Sequence, residues 1–428
     1  MEIKNIISLV SVFGFIIFIL LGTDVRRNYL LFVAFVFPFM DLFITPVSQG
    51  GYRVFDAVTY IALIFLINKP GTYPYPKTLY FPALVVMIFL LLWGTLKSEF
   101  VGVSLISLSQ IMSVFIYAIL LIRECYADPD FKYLIIRGIK LSCILSLIFL
   151  VFQLIFGLSV TLYQLNPNTS SYDTLIRYPS FFQDPQKYGQ YLAICSFLFL
   201  IEDPKNPQKH YQNLFLFFGV IIALFFTGVR AAFTGLVAGM IIIFLFGDKR
   251  FKLLGLACVA VVCIVAIFFS SHFALFNRES DVNDTAAVRY AYWAGAYKIF
   301  LKFPYLGIGI GNYQSYVSLH SQDQYWLYFG TYEYMDHPES GYFKILVEFG
   351  IFSFIIHQAL IFVPIYKSAK NLVYRYADSK ILLFLIAGVV SWMAAFFTVF
   401  SFSDLRVFIL VATLLCIMIS FSPDSEKN

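Results

Sequence analysis

Four polar positions stand out for the chemistry their side chains can do: Arg177, Arg230, Arg289 and His337. Arginine suits phosphate and other anions because its planar fork bonds two oxygens at once. A histidine, with an ordinary pKa of about 6.5, can take a proton from an attacking hydroxyl at neutral pH. Arg230 interrupts an apolar region in Thr227-Gly-Val-Arg230-Ala-Ala-Phe-Thr-Gly235. A cation there is costly unless it faces protein, water or an anion. Arg289 and Trp293 are four residues apart and share a helix face, continued by Ala296 and Phe300. His337 lies in Glu333-Tyr-Met-Asp336-His337-Pro338-Glu339-Ser340, directly before an apolar run. Its three acidic neighbours can orient it or bind a metal, although no His-x-x-x-His or cysteine pattern supports a metal site. Simpler roles exist for both: a lipid-headgroup contact for Arg289 and a cap at the following helix for His337.

The elements that must position these groups belong to a membrane. The chain has 428 residues, 60% hydrophobic and 13% charged, against about a quarter charged in ordinary soluble domains. Many apolar runs approach the ~20 residues that a span requires. The expectation is an all-α integral membrane protein of about 12–13 transmembrane helices. Candidate spans are 6–22, 29–45, 54–68, 80–96, 101–122, 139–157, 188–202, 213–229, 231–247, 252–270, 341–366, 381–400 and 405–421. The first reads as a retained span, because no small-residue cleavage site follows it. The chain divides into helices over 1–270, a large polar and aromatic loop over 271–340, and C-terminal helices with a short tail over 341–428. A second long loop covers about 158–187.

Basic short loops at 249–252 and 367–380 flank the 271–340 stretch. The positive-inside rule therefore places that stretch, with the 158–187 loop, outside the cytoplasm. Acids outnumber basic residues seven to four in it, so individual arginines rather than a bulk positive field must hold any anion. Six cysteines, five of them in apolar runs, suggest neither a disulfide framework nor a thiolate metal site. The net charge of +5 is dispersed among loops, which gives nucleic-acid binding no support.

Within the large loop, Asp284-Thr285 and Pro304 bracket a helix over 286–302, expected to lie along the membrane surface. The glycines of Pro304-Tyr-Leu-Gly307-Ile-Gly309-Ile-Gly311-Asn312 have the wrong spacing for either glycine-rich nucleotide motif. A tight turn packed on the membrane face is the expectation there.

The chain resembles the O-antigen ligase and polymerase superfamily of bacterial cell-surface glycan assembly. Four features carry the resemblance: Arg177-Tyr-Pro-Ser-Phe-Phe-Gln-Asp184-Pro-Gln; Gly228-Val-Arg230-Ala-Ala-Phe-Thr-Gly235; Arg289-x-x-x-Trp293 with Pro304-x-x-Gly307-x-Gly309; and His337 leading into Gly341-Tyr-Phe-Lys-Ile-Leu-Val-Glu348-Phe-Gly350. They cover about 177–350; Pro338 stands where the family usually has Asn or Ser. The resemblance implies a GT-C-like, metal-independent, inverting glycosyltransferase of the bacterial inner membrane that works at its outer face without a cofactor. Its donor would be an undecaprenyl-pyrophosphate-linked oligosaccharide. Its acceptor would be a growing glycan or lipid A-core, with membrane lipids and a chain-length regulator protein as further partners. Arg230 and Arg289 would then hold the pyrophosphate and His337 would activate the acceptor. Arg177, Trp293, Asp184 and Glu339 are assigned to substrate binding.

A polymerase of O-antigen, capsule or exopolysaccharide repeat units is the leading reading, with the ligase as its near alternative. A transporter or flippase is the alternative of another class. It would show mid-membrane charges and inverted repeats; Glu348, inside an expected span, is its best clue.

Overall fold

The computed structural model describes residues 3–22, 24–44, 51–67, 80–161, 171–172, 175–202, 210–268, 282–320, 326–328, 331–333, 337–373, 379–399 and 404–421. The chain is an all-α integral membrane protein. In order, the helices are α1 (Ile3–Leu21), α2 (Val25–Phe35), α3 (Val54–Ile67), α4 (Tyr80–Lys97), α5 (Val101–Ala127), α6 (Phe131–Phe156), α7 (Pro185–Phe199) and α8 (His210–Thr227). They continue as α9 (Arg230–Phe246), α10 (Lys249–Phe268), α11 (Val282–Lys302), α12 (Tyr313–His320), α13 (Gly341–Val373), α14 (Ser379–Phe396) and α15 (Leu405–Ser420). Two short antiparallel strand pairs, Ser171–Tyr172 with Leu175–Ile176 and Trp326–Tyr328 with Thr331–Glu333, lie in the two long loops. By length and apolar content α4, α5, α6 and α13 can each cross a bilayer, and α1, α3, α8, α9, α14 and α15 are shorter apolar helices.

The helix at the centre is α7, buried over nearly its whole length, as expected of a helix apolar on every side. It packs against α6, α8, α9, α14 and α15. Small residues set the closest crossing, that of α9 with α14. A Cβ on Gly235 would stand 2.4 Å from the Ser391 carbonyl oxygen, and one on Gly239 would stand 2.7 Å from that of Ala387. This Gly-x-x-x-Gly face lets two backbones approach where lipid supplies no hydrophobic driving force.

The helix directions separate two ends of the bundle. The start of α5 meets the 303–313 segment through Ser104, whose hydroxyl donates to the Ile310 carbonyl (3.0 Å). Its far end holds Glu124, which pairs with Arg26 (2.6 Å) and Arg27 (3.0 Å) at the start of α2. Arg26 and Arg27 thus sit at the end away from His337.

Several boundaries differ from the sequence expectation, each for a local reason. The run 29–45 is no single span: α2 stops at Phe35 and a 3-10 turn follows over Phe37–Phe39. Pro38 has no N–H to donate and disfavours helix in the residue before it. The helix expected from 286 begins at Val282 and ends at Lys302, two residues before Pro304. It packs along α13. The end of the chain forms two separate helices, α14 and α15.

The longest helix, α13, is broken at Gly350 (φ 69°, ψ 174°), and the 303–313 segment fills the break. Ile308 N–H donates to Val347 O (3.0 Å), Gly309 N–H to Glu348 O (3.1 Å), and Ile351 N–H to Pro304 O (2.8 Å). The loop thereby satisfies backbone groups that the break releases, which a membrane interior demands. Gly307, Gly309 and Gly311 all have positive φ (71°, 94° and 77°). A Cβ on Gly307 would lie 2.4 Å from Glu348 O, and one on Gly311 would lie 2.1 Å from the Ser107 hydroxyl. The glycine run is a packing device wedged between α4, α5 and α13, as the tight-turn reading expects.

Candidate functional site

At the end of the bundle where α7, α9, α13 and α15 begin and α8 and α14 finish, the polar motifs gather. The first is the segment 177–187. Arg177 is fully buried, and its Nε donates to the Thr227 carbonyl (2.9 Å). The next residue repeats the pairing: Tyr178 N–H donates to Phe226 O (3.0 Å). A guanidinium at the C-terminal carbonyls of α8 complements the negative end of that helix. Arg177 therefore ties the first loop to the turn Thr227-Gly228-Val229 from which Arg230, the first residue of α9, emerges half-buried.

The segment is held under strain. Ser180 adopts φ 53°, a region that non-glycine residues seldom occupy. Its N–H donates to Gln153 Oε1 (2.8 Å), its hydroxyl donates to Ser146 O (2.7 Å), and its carbonyl accepts from Gln153 Nε2 (3.2 Å). Three bonds from α6 over-determine a conformation that would otherwise cost about 1–3 kcal/mol. Asp184 then caps α7, its carboxylate accepting from Gln186 N–H (2.8 Å). Pro185 occupies the first helical position, where its missing donor costs nothing.

His337 lies just ahead of α13. Burial, with the positive charges of Lys344 and Lys187, lowers its pKa from 6.5 to about 3. The ring is therefore neutral at physiological pH. Lys187, half-buried in the first turn of α7, is a residue that motif reading passed over. Two residues further along α7, Gly189 packs against Val229 and Ala232, which flank Arg230; a Cβ there would stand 3.1 Å from each. The α7 start thus packs on the α9 start, and its Lys187 is near enough to His337 to act on it by charge. Glu339, half-buried two residues past the histidine, has φ 47° and is the second strained residue of the site. Of the other two acids, Asp336 and the side chain of Glu333 lie outside the described residues. Among the described residues no three of His, Cys, Asp and Glu come together as a metal-ligand set.

Arg289 and Trp293 reach the same end from α11. Trp293 stacks on Phe343 in the first turn of α13 (5.9 Å, 25°) and meets Phe397, just past α14, edge-on (5.3 Å, 70°). Its Nε1 has no acceptor among the described residues. Tyr342 extends the aromatic group, packing edge-on against Phe396 (5.1 Å) and donating to Met393 O (3.1 Å). Half-buried Arg289, one turn before Trp293, is carried to the rim of this cluster.

Beneath the first loop lies a buried charge network that motif reading did not identify. Arg406, fully buried, pairs with Asp404 (2.8 Å), lies over the Phe182 ring (3.8 Å), and donates to Phe181 O (2.8 Å) and Pro38 O (3.3 Å). Asp41 closes the group, 3.6 Å from Arg406 and 3.4 Å from Arg53. The carbonyl of Phe181 is thus clamped to α15, fixing the 177–187 segment from below. Asp404 and Arg406, spaced to cap a helix and pair across its first turn, were the available signal.

Glu348, the transporter clue, has a structural partner set. Its Oε1 accepts from Tyr313 N–H (3.1 Å) at the start of α12 and lies 3.9 Å from Lys344 Nζ. A carboxylate at a helix N-terminus is favourable, and here it also steadies the glycine segment.

Residues 215–357 match the family model described as O-antigen ligase. No curated protein matches the chain.

Proposed function

We propose, with the match of residues 215–357 to the O-antigen ligase family model as support, that the chain is an inverting glycosyltransferase. It takes a lipid-pyrophosphate-linked glycan as donor and polymerises repeat units of O-antigen, capsule or exopolysaccharide. The reaction occurs at the extracytoplasmic face of the inner membrane. What supports this reading is that His337, just ahead of α13, stands at the same end of the bundle as Arg230 at the α9 start and Arg289 on α11.

The chemistry follows from those groups. An acceptor hydroxyl oxygen attacks the anomeric carbon as the bond from that carbon to the pyrophosphate oxygen breaks. Entry opposite the leaving group inverts the centre. The hydroxyl proton passes to His337, and the electron pair leaves with the pyrophosphate. Arg230 and Arg289 stabilise the growing negative charge through paired N–H donors. The leaving group arrives activated, so no nucleotide, metal or other cofactor enters the scheme. Trp293 presents a ring and an indole N–H to sugar or phosphate. Glu339 borders the acceptor side. Arg177 and Asp184 act by positioning, the first on the turn that presents Arg230 and the second on the start of α7.

The low pKa of His337 gives substrate binding a second role. An imidazole near 3 is a weak base at neutral pH. A pyrophosphate bound beside Lys187 and Lys344 cancels the charges that help to depress it. The donor thereby raises the basicity of the group that must accept the acceptor's proton.

The test is to reconstitute the purified protein with lipid-linked repeat units, with and without lipid A-core. A ladder without core supports the polymerase, and transfer only with core indicates the ligase. Movement of intact donor across the bilayer without any transfer would indicate a transporter.

A further inference from the structure

Among the buried polar side chains of the described residues, Gln190 has both halves of its amide unbonded. It is 1% exposed, and neither Nε2 nor Oε1 has a partner. A primary amide carries two N–H donors and an acceptor oxygen. Leaving it unpaired away from water is costly, and folded proteins seldom keep such a group without a use for it.

The direction in which Gln190 points follows from its turn of α7. Tyr188 and Tyr191 turn their hydroxyls to those of Ser146 (3.4 Å) and Ser142 (3.1 Å) on α6, and Gly189 faces α9. Lys187, Gln190 and Ile194 form a third face. Ile194 shows where that face packs. A Cβ on Gly388 of α14 would stand 3.6 Å from Ile194 Cγ2 and 3.0 Å from Leu414 of α15. At the start of α7, the charge of Lys187 on this face acts on both His337 and Asp404. Gln190 lies one turn deeper. Side chains on a helix lean toward its N-terminus, so Gln190 leans toward Lys187. Its three rotatable bonds let the amide swing along that line without moving the backbone. Residues three apart on a helix are neighbours, about 5–6 Å between Cβ atoms, a spacing that one phosphate group can bridge.

We propose that Gln190 is a donor-binding residue that, together with Lys187, holds the lipid-side phosphate of the pyrophosphate. Its Nε2–H donates to a phosphate oxygen that the Lys187 ammonium also contacts, and its Oε1 accepts from that ammonium. Both halves of the amide then have partners, and the cost carried by the fold is removed when the donor arrives. The phosphate nearer the lipid is the one assigned, because Gln190 lies deeper in the bundle than Lys187. The proposal rests on the reading of the protein as a transferase that uses a lipid-pyrophosphate-linked glycan.

The test measures binding of farnesyl pyrophosphate to the full-length protein in nanodiscs by calorimetry, with farnesol as the control, beside the thermal unfolding midpoint. The unaltered protein should bind farnesyl pyrophosphate in strong preference to farnesol. Gln190→Met keeps the length of the side chain and removes the amide. It should raise the midpoint, because an unpaired buried group is gone, and weaken farnesyl pyrophosphate binding about tenfold. Ser353→Ala removes another buried group without a partner among the described residues, on α13 beyond the Gly350 break, and should leave that affinity unchanged. Unaltered affinity in Gln190→Met would overturn the proposal and leave the transferase reading standing. So would a lowered midpoint in that variant, which would mean an amide bonded within the fold, or an equal loss of affinity in both variants. Equal binding of farnesyl pyrophosphate and farnesol by the unaltered protein would remove the pyrophosphate donor itself, and this proposal with it.

Discussion

Lowering the pH from 7.5 to 5.0 should destabilise the protein through His337, by an amount the structure sets. In the unfolded chain the ring titrates near 6.5; in the fold, burial together with Lys344 and Lys187 lowers it to about 3. Between those values the unfolded state binds the proton and the folded state does not. The neutral ring's contribution is therefore fully present above about pH 6.5 and is lost as the pH falls towards 3. With 1.36 kcal/mol per pKa unit, the loss is about 2 kcal/mol at pH 5 and approaches roughly 5 kcal/mol near pH 3. The assay is detergent-titrated unfolding of the reconstituted protein and of His337→Asn at both pH values. Other carboxylates and histidines titrate equally in both proteins and cancel in the difference. The wild type should lose about 2 kcal/mol more than the variant. Equal slopes with pH would mean a solvated ring, and the argument that donor binding tunes its basicity would collapse with it.

Further outcomes follow from the same geometry. Gly307→Ala forces a Cβ against the carbonyls of Val347 and Glu348 at a residue with φ 71°; the strain alone costs about 1–3 kcal/mol, and the variant should show a lowered unfolding midpoint and lost activity together. Asp404→Ala leaves Arg406 buried without its nearest carboxylate, which should cost about 3–5 kcal/mol by the same unfolding assay. Arg289→Lys and Arg230→Lys keep a charge but lose the paired donors, so turnover should fall on the order of a hundredfold with membrane insertion unchanged; full turnover for Arg289→Lys would mark it as a headgroup anchor. Turnover should persist in chelator, and its loss with recovery on adding a divalent ion would refute the metal-free scheme.

How far the sequence disclosed this molecule depended on the range of the interactions. The all-α membrane class was legible because apolar runs report burial directly. The end of α11 before Pro304 and the tight-turn role of Gly307, Gly309 and Gly311 were legible because proline and glycine act locally. The broken α13 was hidden: nothing near Gly350 shows that a segment about forty residues earlier supplies its missing hydrogen bonds. Lys187 escaped notice for a related reason, since its importance lies in facing His337 from another helix. The strain at Ser180 and Glu339 was likewise unreadable, because non-glycine residues in that backbone region are fixed by their surroundings. Arg177 reads in the sequence as a loop cation, yet its burial against Thr227 makes it a tie between two elements. Glu348, the best clue in the sequence to a transporter, has Tyr313 N–H and Lys344 beside it, and no local pattern shows those partners.

The most direct measurement of the central claim is release of lipid pyrophosphate and growth of a glycan ladder by the reconstituted protein, compared with His337→Ala, both in chelator. The account predicts ladder and release together for the wild type, and neither for a variant that inserts and folds normally. A ladder of unchanged length and yield from His337→Ala would contradict it.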